Sequence, residues 1–436
     1  MCLRGFPVLV LLTLLIGESA AAAPAPAPID TAWTLDRCEA AALAHAPVLA
    51  AGRARAEAAL AGADLAGAVR LPVVGFSGQT GYTTEFMTIE TPTPTGVNTI
   101  AFGNGYNTDL MLGLRAPLFT GGRLQADAEA ARAEWQASLA DVAVDSLDLR
   151  RQVRQAFYAA LGGEAAADAA RQGEARLHRH LADVEDNLTV GMATEEARLQ
   201  VLARLRRTEQ GTIQAEAEAA ARRFRLGGLV GRAGTQIRPR ADLGASLLDG
   251  GEDSRPWNDR AELRALDARL DAADQSTRAA SGSYWPTIDL EGGWHYGRPG
   301  VDPVTNEWMD YGTVALNLRW TLFDFGGRSS RVKSLRARER ALAASRDDLQ
   351  DALCSRQANA RTQLDSVRRE TERAGERLDL EQRRLVLAHE RWQQGHATES
   401  EMLDAQDDVT LAASDLATAL ARLRLAEAEL LAALGW

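Results

Sequence analysis

The sequence predicts a mainly α-helical protein on a duplicated helix/β-hairpin/long-helix plan, with a small membrane β-barrel contribution. Three observations lead there. From Arg123 to Val190, and again from Arg328 to Gln394, the chain runs without proline, long enough at 1.5 Å per residue for roughly 100 Å of helix each. The same landmarks recur in the same order in both halves. Between the helical stretches lie segments whose apolar and polar residues alternate with the period of a β-strand.

The N-terminus carries Arg4, an apolar run from Phe6 to Ile16 interrupted by Thr13, and small residues through Ala23. This pattern predicts a secretory signal peptide over residues 1–22. The run falls well short of the roughly 20 residues that a spanning helix needs. The Ala-Pro repeat that follows opens an extended lead-in over 23–33, because proline removes backbone donors. No later stretch is apolar enough for a transmembrane helix, so a membrane could be entered only as a closed β-barrel. With 60 acidic against 49 basic residues and a net charge of −11, the composition argues against a nucleic-acid partner. Once Cys2 leaves with the signal peptide, Cys38 and Cys354 remain, too few for a disulfide framework and expected to be buried small residues.

The duplication is legible by eye. Pro47-Val48-Leu49 and its helix answer Ala261-Glu262-Leu263 and a similar helix, and Leu71-Pro72 answers Trp285-Pro286 at the same spacing. The string at Leu118–Arg123 (LFTGGR) answers Leu322–Arg328 (LFDFGGR), and Gly191–Thr194 (GMAT) answers Gly395–Thr398 (GHAT). The first repeat is expected over 34–225, with a β-hairpin at about 73–119 and a long helical hairpin at 123–225. A Gly-, Pro- and Asp-rich linker spans 226–259. The second repeat covers 260–436, with its β-hairpin at about 286–323 and its helical hairpin at 328–434.

In the strand segments Leu110, Leu112, Leu114, Ala116 and Leu118 share one face. Ile288, Leu290, Gly292, Trp294 and Tyr296 alternate with Thr287, Asp289, Glu291, Gly293 and His295. Val314, Leu316, Leu318, Trp320 and Leu322 alternate with Ala315, Asn317, Arg319, Thr321 and Phe323. About ten such residues match a tilted strand crossing the hydrocarbon layer. The stretches Thr84–Tyr106 and Gly297–Asp310 read as exposed loops. Trp285, Trp294, Trp308 and Trp320 crowd the second hairpin, where indoles suit a membrane interface. Only four strand candidates exist, however, and four strands cannot close a barrel. A soluble sandwich with its tryptophans inside therefore competes.

A signal peptide, two copies of helix, hairpin and long helix, and Gly-Gly-Arg turns leading out of each hairpin together resemble the outer-membrane efflux protein family, the TolC-like outer membrane factors. The resemblance implies a homotrimer in which three chains supply four strands each to one twelve-stranded β-barrel. The helices would continue as a periplasmic α-helical barrel. Its tips would meet a periplasmic adaptor (membrane fusion) protein and an inner-membrane transporter, and the barrel would lie in outer-membrane lipid. The implied function is an exit duct for efflux or type I secretion, with no enzymatic chemistry and no cofactor. The tip and aperture residues carried over are Gly191, Thr194 and Glu195 in the first repeat and Gly395, Thr398, Glu401 and Asp404 in the second. Where the family's type member has a pore-latching arginine before the second-tip threonine, this chain has Ala397. Gly121, Gly122 and Arg123, with Gly326, Gly327 and Arg328, would form the strand-to-helix turns.

Other chemistries find little support. A phosphate-binding loop needs Gly-Lys-Ser/Thr, and the only lysine, Lys333, follows a valine. His178 and His180 sit two apart on a helix, so they diverge and cannot share a metal. The six histidines read as scattered surface residues, and the many paired carboxylates as solvated faces. The rival readings are an exported coiled-coil periplasmic scaffold and a monomeric porin. The scaffold leaves the alternating hairpins unexplained, and the porin has no place for the helices.

Overall fold

A computed structural model describes residues 33–85, 88–101, 105–248, 256, 259–302 and 307–435. The expected signal peptide, and all of the lead-in except Trp33, lie outside them. The elements run α1 (Leu35–His45), α2 (Pro47–Ala68), β1 (Val73–Tyr82), β2 (Thr88–Thr93), β3 (Gly96–Ala101), β4 (Tyr106–Phe119), α3 (Arg123–Thr189) and α4 (Glu195–Leu229). They continue with α5 (Ala261–Gly282), β5 (Thr287–Arg298), β6 (Met309–Arg319), α6 (Gly327–Gln393) and α7 (Glu399–Leu434). α4 runs on to Leu229, past the linker start expected at 226.

Both α3 and α6 have 67 residues, so each extends roughly 100 Å. No isolated helix of that length is held by propensity alone: α3 is flanked along its length by four shorter helices and α6 by two, α5 and α7. α3 meets α2 and α5 on its sheet-proximal half, where Gly52 approaches Val142 and Arg269 reaches Asp141. On its distal half it meets α4 and α7. There Arg171 reaches Glu216 at 2.7 Å, and Arg176 donates to Thr410 Oγ1 at 2.7 Å. Small side chains permit the close approach: a Cβ on Gly162 would stand 2.5 Å from the Ala421 methyl.

Where α1, the start of α2, the middle of α3 and the end of α4 converge, Cys38, Leu49, Val153, Phe157, Leu226, Val230 and Ile237 form the main core. Each large apolar side chain buried there contributes about 1.5–3 kcal/mol. Burial pushes the Cys38 thiol up to about 12. Cys354, by contrast, is exposed, so the expectation of two buried cysteines holds only for the first. The linker is strapped to α7 by a buried pair. Arg424 donates to Glu427 and to the carbonyls of Leu243 and Gly244, while Glu427 accepts from Ser246 Oγ and Leu247 N.

The sheet has the order β1-β4-β5-β6, antiparallel throughout. The β4–β5 pairing joins the two repeats, and among the described residues no strand pairs with the outer edges of β1 and β6. The expected loop between β1 and β4 contains a further ribbon, β2–β3, in which Thr93 pairs with Gly96 across a tight turn. Threonines and valine drive that pairing, which a composition reading took for a loop. The alternation at the end of β4 is also corrected. The register shifts between Pro117 and Phe119, because proline offers no N–H to the ladder, so Leu118 falls out of its expected row.

Candidate functional site

The sheet's two faces differ as a membrane wall requires. Phe76, Val74, Leu112, Leu114, Trp294, Val314, Leu316 and Leu318 are exposed on one side. The register aligns them in cross-strand rows: Phe76 faces Leu112, which faces Trp294, and Leu290 faces Leu316. The opposite face is polar. Asp109 meets His295 Nδ1 at 3.0 Å, His295 Nε2 reaches Thr313 Oγ1 at 3.2 Å, the imidazole stacks on Tyr311, and Arg115 lies 3.4 Å from Glu291. Among the described residues no helix is long and apolar enough to cross a membrane.

The strand-to-helix turns are alike in backbone but offset by one residue in sequence. Gly121 (φ 63°) and Gly122 (φ 78°) precede α3. In the second repeat Phe325 (φ 52°) and Gly326 (φ 89°) hold the left-handed positions before α6. Gly327 already lies in the helix, so the sequence pairing of Gly122 with Gly327 is replaced by Gly122 with Gly326. No left-handed strain attaches to Gly327. Gly121 is constrained twice, because an added Cβ would stand 2.4 Å from Gly282 O and 2.7 Å from Trp285 Cβ. Arg123 lies 3.5 Å from Asp127. Arg328 binds Asp324, donates to Ser283 O at 3.2 Å and lies over the Tyr284 ring, which clips the second turn to the end of α5.

At the far ends of the helices, Gly191 (φ 78°) and Gly395 (φ 72°) close Schellman turns. Met192 N donates to Asn187 O and His396 N to Arg391 O, both at 2.8 Å. Thr194 then caps α4 by accepting from Ala197 N at 3.1 Å. Thr398 caps α7 in a reciprocal box with Glu401, at 3.2 and 3.4 Å.

Glu195 is held locally by Arg198, whose hydrogen bonds lower its carboxyl below the ordinary value. Glu401 lies 3.8 Å from Arg391, and Asp404 accepts from Arg204 of α4 at 2.7 Å. Both are exposed and, three residues apart, share one face of α7. Arg204 also lies 3.0 Å from Asp407. Burial raises the Asp407 carboxyl against the pull of that arginine.

Sequence reasoning missed a contact between the hairpins here. His180 of α3, expected on the surface, is buried. Its Nε2 bonds Glu399, the first residue of α7, and its ring meets Trp392 edge-on at 4.8 Å. Trp392 Nε1 donates to the other Glu399 oxygen at 2.9 Å. Leu177, Val184, Val201, Leu205 and Leu403 form the apolar floor. The available signal was Trp392 a few residues before the Gly395 turn, an anchor that a solvated tip would not need.

A lipid-length apolar sheet face set on helical hairpins of this length defines a channel-forming protein of the outer-membrane type. The chain belongs to the outer membrane efflux protein family, whose sequence pattern matches residues 40–232 and 257–436, one segment per repeat. No curated protein matches the sequence. Among solved structures it is similar in fold to CusC, with a TM-score of 0.79 at 18% identity over 92% of each chain. It is also similar to the outer membrane protein VceC of Vibrio cholerae, with a TM-score of 0.77 at 20% identity over 92% of this chain and 96% of that one. The open state of the Neisseria gonorrhoeae MtrE outer membrane channel has a TM-score of 0.74 at 18% identity over 92% of this chain and 88% of that one.

Proposed function

We propose that this chain is the exit duct of a tripartite efflux or type I secretion system, passing small molecules or secreted substrates to the exterior. The observation that carries this reading is the four-stranded sheet with two unpaired edges and an exposed apolar face. In lipid an unpaired edge is costly, so the sheet must close with copies of itself. Three sheets make a twelve-stranded barrel, and β6 of one protomer would pair with β1 of the next. The helices would then form the periplasmic tunnel, with the tips facing a periplasmic adaptor protein and an inner-membrane transporter.

Threefold symmetry turns each tip residue into a ring. The shared exposed face of Glu401 and Asp404 would set six carboxylates at the aperture, favouring cations. Membrane fractionation, then mass measurement of the detergent-solubilised protein, tests the reading. An outer-membrane trimer is expected. A stable monomer, or a chain that washes off without detergent as a coiled-coil scaffold would, refutes it. In planar bilayers cation selectivity should fall in the Glu401→Ala, Asp404→Ala double variant. Unchanged selectivity in an assembled trimer would remove these residues from the aperture.

A further inference from the structure

On the distal half of the first helical hairpin, Glu174 and His178 lie one turn apart on α3, and Glu209 reaches towards them from α4. His178 Nε2 is 3.9 Å from a carboxylate oxygen of each glutamate. The three donor atoms lie within 4.8 Å of one another. Among the described residues the side chains of Glu174 and His178 form no hydrogen bond, although other carboxylates of the hairpin, such as Asp168 and Glu216, are taken up by Arg171. Separations of 3.9 Å are too long for hydrogen bonds. They suit two ligands of one ion, since donors about 2.1 Å from a metal can stand at most about 4.2 Å apart. Donor atoms within 4.8 Å of one another would need only a side-chain adjustment of no more than about 0.6 Å to meet that limit.

We propose that Glu174, His178 and Glu209 bind a divalent transition-metal ion of the zinc class and thereby staple α3 to α4. An imidazole nitrogen with two carboxylates suits zinc, cobalt or nickel rather than calcium or magnesium, which prefer oxygen-only sets. The i, i+4 spacing places Glu174 and His178 on one helix face, and the antiparallel partner helix supplies the third ligand. Water would complete the coordination, because the His178 side chain is 54% exposed.

One competitor is present. Arg206 Nη1 contacts both Glu209 oxygens, at 2.8 and 3.0 Å. Its side chain is 69% exposed, and an ion pair so solvated yields readily to a metal. The site lies roughly three turns of α3 from the first tip, so a bound ion stiffens that hairpin where the second is braced by His180.

The full-length protein in detergent would be titrated with zinc by calorimetry, and with cobalt by visible absorption, which reports coordination directly. One saturable ion per chain is expected. His178→Ala should weaken it at least tenfold, Glu174→Gln and Glu209→Gln several-fold, and Arg206→Ala should tighten it about twofold or more. His389→Ala, at a histidine of α6 outside the cluster, should leave it unchanged. Binding that survives His178→Ala, or cobalt spectra without an imidazole ligand, overturns the site. Unchanged or weaker binding in Arg206→Ala removes Glu209 from the ligand set and overturns the staple.

Discussion

The two repeats share a backbone plan but not their attachments, and the contrast is sharpest at the tips. In the first, Thr194 caps α4 and Glu195 pairs with Arg198 one turn on, both local contacts. In the second, Glu399 reaches across to His180 of α3, Trp392 braces the same carboxylate, and Asp404 pairs with Arg204 of α4. Duplication thus conserved what the backbone demands, a left-handed glycine and a hydroxyl cap. The side chains that tie hairpin to hairpin diverged. Near the tips, two α7 carboxylates, Glu399 and Asp404, make contacts from the second hairpin to the first.

The turns sharpen the comparison most. Gly121→Ala forces a methyl into Gly282 and Trp285 as well as into a left-handed backbone, so a cost of about 3 kcal/mol or more is expected. Folded yield should collapse on a gel of membrane fractions. Gly122→Ala and Gly326→Ala meet nothing within 4 Å and should lose about 1–2 kcal/mol each, measured as the midpoint of thermal unfolding. Equal damage at all three sites would show that backbone conformation alone, and not crowding against α5, distinguishes the turns.

At the tips, His180→Ala leaves Glu399 and Trp392 without their buried partner, a loss of roughly 1–3 kcal/mol. Hydrogen exchange should speed up at 392–403 while 189–197 changes little. Uniform acceleration of both tips would mean that they open as one unit. A smaller pair of effects separates the caps. Thr194→Ala should cost about 1 kcal/mol of local stability, and Thr398→Ala more, since it breaks both arms of the box with Glu401. Amide exchange in the first turns of α4 and α7 reads each, and the reverse order would mean that the Glu401 arm contributes nothing.

The smallest expected effect is electrostatic. Burial raises the Asp407 carboxyl in the folded chain, so the native state keeps its proton to higher pH than the unfolded chain does. Stability from this group is therefore greatest below the ordinary carboxylate range and declines as pH rises through the raised value. Asp407→Asn should flatten that part of a melting-temperature profile. A profile that steepens instead would give the Arg204 pairing the larger weight.

Much of this architecture was legible because it rests on local periodicity. Helices free of proline, strands alternating at period two and landmarks repeated in order need no knowledge of distant contacts, and the family resemblance followed from their order. The tip glycines and threonines were legible for the same reason, since a left-handed turn and an N-cap are set within a few residues. Other features escaped, three of them for clear physical reasons. The ribbon β2–β3 depends on pairing between two short polar segments, whose composition looks like a loop. The one-residue offset between the turns was hidden because Phe325 occupies a left-handed position where sequence reasoning expects glycine. His180 looked like any surface histidine, because its burial is produced by α6 and α7, more than two hundred residues away in sequence.

The amino-acid sequence by itself determined the lengths of the long helices, their order, the duplication and the tip turns, because each is dictated by propensity, periodicity and backbone sterics over short spans. Tertiary structure alone decided which faces meet. It brought β4 against β5 to join the repeats, seated His180 beneath the second tip, and gathered Glu174, His178 and Glu209 across a hairpin. Those contacts depend on the rotation and register of helices packed along roughly 100 Å, and a shift of one residue in that register would turn each of these side chains to another face.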